Sequence, residues 1–145
     1  MGAALGVCLV LLAGGAQAQP VFIPTAHFTL AWTHSIEKVR WEEDYAVAWS
    51  AEPTRQPMLK ALGARVRGSA AGMEPPEDAV LRNGWYEYQP QTWSPQGLRL
   101  TRSAYTADYE WCVDGRCQPL ARLLPSDGDI TLLTPCEAPV ARQAR

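Results

Sequence analysis

The run Phe28-Thr29-Leu30-Ala31-Trp32-Thr33-His34-Ser35-Ile36 is followed two residues later by Val39-Arg40-Trp41-Glu42-Glu43-Asp44-Tyr45-Ala46-Val47-Ala48-Trp49. Large apolar side chains alternate with small or polar ones through both stretches, the period of a half-buried β-strand. They hold even positions from Phe28 to Ile36 and odd positions from Val39 to Trp49. A one-residue slip exchanges the two faces of a strand. An extra residue or a turn therefore lies between Ile36 and Val39. No Gly, Pro, Asn or Asp stands there, so the expected device is a β-bulge within one bent strand. Bulges re-aim side chains, and this one falls inside His34-Ser35-Ile36-Glu37-Lys38. His34 follows the core-phase Trp32, and Glu43 lies on the apolar phase between Trp41 and Tyr45. An unpaired buried carboxylate costs several kcal/mol, so Glu43 needs a partner: His34, Lys38 or an arginine. Three readings follow. The pair is a satisfied polar contact that fixes register, a small polar site in an apolar pocket, or an acid–base couple.

Outward from this core, turn signals recur at Glu52-Pro53, Gln56-Pro57, Pro75-Pro76, Asn83-Gly84, Ser94-Pro95, Asp114-Gly115 and Asp127-Gly128. They leave little room for long helices. Met58 to Arg67 has partly helical spacing, but Gly63 and the flanking Pro57 and Gly68 favour a strand. Further strands are expected near Trp85–Gln89, Gly97–Ser103, Ala107–Val113, Arg116–Leu124 and Asp129–Leu133. The fold class is all-β: a single-domain sandwich or small barrel of seven to eight short, mostly antiparallel strands. A barrel of about eight strands holds one small ligand at its mouth.

The chain has 145 residues, 47% hydrophobic and 19% charged, with a formal charge of −2. That is one globular domain without the basic face that nucleic acid requires. Leu5 to Ala16 is apolar and Ala16-Gln17-Ala18 has small residues at a cleavage spacing, so residues 1–18 read as a signal peptide cut near Ala18. The segment departs from that pattern in carrying no Lys or Arg. A β domain over 19–136 and a flexible tail over 137–145 would remain, in the periplasm. Asp-Gly is a preferred two-residue hairpin turn, so Asp114-Gly115 sets Cys112 opposite Cys117, where an oxidising compartment allows a disulfide. Cys136 is then the odd thiol. His27 and His34 lack ligand spacing to the cysteines, and no metal site is expected.

No nucleophile elbow, His-Glu-x-x-His, P-loop or dinucleotide fingerprint occurs, and the chain reads as a non-enzymatic protein without a cofactor. His34-Ser35-Ile36-Glu37-Lys38, then Glu42-Glu43, Ala71-Gly72-Met73 with Pro75, and Gly84-Trp85 resemble an uncharacterised family of small exported bacterial proteins. That family carries only the label of a domain of unknown function, and its members are typically encoded beside TAXI-type TRAP transporters. The resemblance runs from Phe28 to Leu133. It departs from the family pattern at Glu74, which separates Met73 from Pro75, and at Ala70, where the family often has Gly. The resemblance implies a periplasmic accessory to solute uptake that contacts a transporter subunit, permease or solute-binding protein, at the His-Ser-Ile-Glu-Lys region. The alternative is a binding domain for a small organic anion, held by Lys38 or Arg40. The candidate binding residues are His34, Ser35, Glu37, Lys38, Glu43, Gly72 and Met73.

Overall fold

The computed structural model describes residues 4–33, 38–67, 79–89, 93–94 and 96–138. In chain order the strands are β1 Leu5–Leu11, β2 Val21–Pro24, β3 His27–Thr33, β4 Arg40–Trp49, β5 Pro57–Arg67, β6 Val80–Arg82, β7 Trp85–Tyr88, β8 Trp93–Ser94, β9 Leu98–Thr101, β10 Glu110–Val113, β11 Arg116–Pro119 and β12 Ile130–Glu137. Short 3-10 helices follow β1 and β11. One sheet has the order β2-β1-β12-β9 and the other β11-β10-β3-β4-β5-β7-β6, with β8 paired to β5 off that path. The expected all-β sandwich is what forms. Among the described residues each sheet ends in strands paired on one side only, so they form no closed barrel and no barrel mouth. The described residues also hold more strands than the seven or eight expected. The excess comes from β1, β2, β6 and β8; of these only β6 is flanked by a hairpin signal, Asn83-Gly84, which turns it into β7.

The phase change has a different cause from the one expected. β3 and β4 are not one bent strand but an antiparallel pair, with Trp32 opposite Trp41 and Phe28 opposite Tyr45. Directly opposed residues share a face. Even positions on β3 oppose odd positions on β4, so the change of parity is what this hairpin register demands. The bulge lies instead in β5. Its register against β4 shifts between Asp44 and Tyr45, where Gly63 opposes Asp44 and Ala61 opposes Tyr45. Leu62 is the extra residue and is thrust outward, 44% exposed. Leu59 and Ala61 before it and Ala64 and Val66 after it all stay buried.

The sheets meet over Val7 and Leu9 of β1, Phe28 and Leu30 of β3, Tyr45 and Val47 of β4, Leu59 of β5, Trp111 of β10 and Leu133 of β12. The expected boundary after Ala18 therefore falls inside the fold. Leu5–Leu11 is an interior strand between β2 and β12, and Val7 and Leu9 are fully buried. Cys8 is bonded to Cys136, so Cys136 is not an odd thiol. The expected tail also starts later, because Glu137 ends β12 and the Ala138 N–H donates to the Ala4 carbonyl at 2.7 Å. Gly6 shows how closely this segment is fitted. A Cβ there would run into the Ile23 carbonyl oxygen of β2. Gly6→Ala is expected to destabilise by about 1–3 kcal/mol as the two strands separate to admit it. A urea midpoint equal to that of the unaltered chain would show the β1–β2 approach to be looser.

Candidate functional site

Asp114 and Gly115 both have positive φ, 52° and 80°, the two-residue turn expected between β10 and β11. Cys112 faces Cys117 and the two sulfurs are bonded. The Glu110 carboxylate lies within 4.8 Å of those sulfurs, but a bonded pair offers no thiolate, and Arg40 already holds Glu110 at 2.7 Å.

Of the candidate binding residues, His34, Ser35, Glu37, Gly72 and Met73 lie outside the described residues. Their described flanks share one end of the larger sheet. Thr33 opposes Arg40 there, and Trp41, Val66 and Tyr86 stand side by side one residue further in. Lys38 leads into β4 with a φ of 59° and is exposed. The paired acids divide between the two faces, because consecutive residues of a strand point oppositely.

Glu42 faces outward. It accepts from Arg40 Nε at 2.7 Å and from Arg65 Nε at 2.6 Å. Arg65 also donates to Asp44 at 2.9 Å, Asp44 accepts from the Thr29 hydroxyl, and Arg40 reaches Glu110. This ladder ties β10, β3, β4 and β5 together across the outer surface. Arg40, expected to be available for a solute carboxylate, already serves two protein carboxylates. Beyond the ladder, an open groove of about 510 Å³ runs along β5 and the β6–β7 hairpin. Leu62, Gly63, Arg65, Val80, Glu87 and Tyr88 contribute to its walls.

Glu43 faces inward among rings. The Tyr45 hydroxyl donates to its Oε1. Trp32 and Trp41 stack with centroids 6.1 Å apart and planes 8° from parallel, and Tyr109 tilts against Trp32 at 5.8 Å. Burial raises the Tyr45 phenol far above its ordinary range, and the Glu43 charge adds to it. Tyr109 is raised for the same two reasons in the same order. The folded state thus holds these protons more tightly than the unfolded chain. The resulting stability is complete below the unfolded phenol value of about 10 and is lost as pH rises beyond it. The urea midpoint is expected to stay level up to about pH 9.5 and to fall from there to about pH 11, less steeply in Tyr45→Phe. Equal slopes in the two proteins would remove Tyr45 as the cause.

One polar cluster was not read from the sequence. Arg102, 2% exposed, donates through Nε and Nη2 to both oxygens of Asp108 at 3.0 Å and through Nη1 to Thr131 at 3.1 Å. Asp108 also accepts the backbone N–H groups of Tyr109 and Ala121. The signal was present: Arg102 continues the inward phase of Leu98 and Leu100.

A family model described as a domain of unknown function, DUF1850, matches residues 28–120. No curated protein and no solved structure matches the chain.

Proposed function

The chain belongs to the DUF1850 family, and from that premise we propose that it is a non-enzymatic accessory of a TAXI-type TRAP solute uptake system, acting by contact with a transporter subunit. The motif resemblance supplies the transporter context. Two disulfides are compatible with an exported, oxidising location such as the periplasm.

One observation carries the contact reading. Among the described residues β6 is the last strand of its sheet, and Val80 and Leu81 on it are 49% and 59% exposed. A free edge with bare apolar side chains is a liability unless something covers it. Arg82 on the same strand and Arg67 on β5, which stacks over Trp85, add exposed positive charge. Lys38 sits at that same end of the sheet. The contact surface is this edge together with the end from which the His34–Lys38 segment leaves.

A photo-crosslinking residue at Leu81, in cells producing the transporter, is expected to capture the permease or the solute-binding protein. The same residue at Tyr105, 97% exposed elsewhere on the chain, is the control and is expected to capture neither. Leu81→Glu is expected to lower uptake severalfold without changing the urea midpoint. Wild-type uptake by folded Leu81→Glu, or adducts formed equally from Tyr105, would defeat the proposal.

A further inference from the structure

We infer that Glu43 and the rings around it form a binding site for a small organic cation, an ammonium or guanidinium group. The sheet register builds the site. Leu30, Glu43, Ala64 and Tyr88 lie side by side across β3, β4, β5 and β7. In the next row Trp32 stands opposite Trp41. Leu30 on one neighbouring strand and the buried Ala64 on the other flank the carboxylate with apolar groups that leave its charge unopposed from those two sides.

Among the described residues the chemistry is acidic. The hydrogen-bond partner of Glu43 among the described residues is the Tyr45 hydroxyl, a neutral donor whose ionisation burial suppresses. It orients the carboxylate without cancelling its charge. The nearby cations of the sheet, Arg40 and Arg65, belong to the outer face and are engaged by Glu42, Asp44 and Glu110. Aromatic faces carry negative potential and attract cations, most strongly for tryptophan. A carboxylate beside Trp32, Trp41 and Tyr109 therefore presents two attractions of the same sign.

A second observation points to a ligand independently. Trp41 Nε1 is buried and has no hydrogen-bond partner among the described residues. Leaving a buried donor unpaired is unfavourable, and an acceptor atom on the ligand would satisfy it. An organic anion, the alternative expected from the sequence, meets the wrong charge at this position. The inference is separate from the partner-contact reading, which uses the β6 edge.

The test titrates the full oxidised chain with tetramethylammonium chloride and with methylguanidinium chloride, using sodium chloride at equal ionic strength as the control. The readout is the indole N–H resonance of Trp41, assigned by its loss in Trp41→Phe. A saturable shift with at least one organic cation, absent with sodium, is expected. Glu43→Gln should weaken that binding by roughly tenfold or more, while Glu87→Gln on the outer face leaves it unchanged. A shift that fails to saturate, that sodium reproduces, or that survives intact in Glu43→Gln would overturn the inference. If Glu43→Gln does not fold, the titration of the unaltered chain against sodium decides alone.

Discussion

A chain that begins at Gln19, as cleavage after Ala18 would produce, is expected to be unfolded at room temperature. It would lack β1, which lies between β2 and β12 and pairs with β12 from Leu5 opposite Glu137 to Leu11 opposite Thr131. Val7 and Leu9 would leave the core, and fully burying such side chains contributes about 1.5–3 kcal/mol each. The Cys8–Cys136 bond, with a sequence separation of 128, would be lost as well. For a closed loop of that size the chain-entropy account gives about 4–5 kcal/mol. Together these terms reach the whole net stability of an ordinary domain, about 5–15 kcal/mol. Near-UV circular dichroism should show no fixed tertiary packing, and a thiol titration should find Cys136 reactive. A cooperatively folded protein from Gln19, with the midpoint of the longer chain, would place β1 outside the domain. The same account predicts that the folded protein isolated from cells retains residues 5–24.

Arg102→Ala is expected to lower stability by about 3–5 kcal/mol, the usual result of removing one partner from a buried ion pair. The Arg102 side chain is 1% exposed and that of Asp108 25%. Without the guanidinium, Asp108 keeps a charge with little water to solvate it, and Thr131 loses its donor. The effect should spread, because Asp108 also fixes the backbone of Tyr109 just before β10 and of Ala121 just after β11. Asp108→Asn tests the division of labour. It keeps an acceptor for one backbone N–H but breaks the two-pronged arginine contact, so its loss should be smaller than that of Asp108→Ala. A change below about 1 kcal/mol in Arg102→Ala, with an unchanged denaturant slope, would mean that water already shares the site.

Much of the larger sheet was legible because its signals are local. Alternation marked β3 and β4, and Asp114-Gly115 located the Cys112–Cys117 hairpin. Glu43 was found because a carboxylate broke an apolar phase. The stretch that joins β3 to β4 lacks the residues that announce tight turns, so the change of parity reads as a bulge when only the sequence is in view. The real bulge at Leu62 hid within a stretch whose spacing also suited a helix. The Leu5–Leu11 stretch carries two readings, a leader by its composition and a core strand by its pairing. An apolar run reads alike whether it crosses a translocation machinery or fills a core, and the strand and cysteine that pair with it, β12 and Cys136, are at the far end of the chain. The Arg102–Asp108 contact needed the register of β9 against β12, which no local pattern supplies.

The bond between Cys8 and Cys136 has a mechanical consequence. Force applied to the two ends of the chain reaches residues 8 and 136 and passes through sulfur, so both sheets between them carry no load. In an optical trap the oxidised protein should extend only by the few residues outside that bond, with no unfolding step at forces that leave covalent bonds intact. After reduction the same pull falls on the antiparallel β1–β12 ladder, whose pairs can open one after another from the Leu5–Glu137 end.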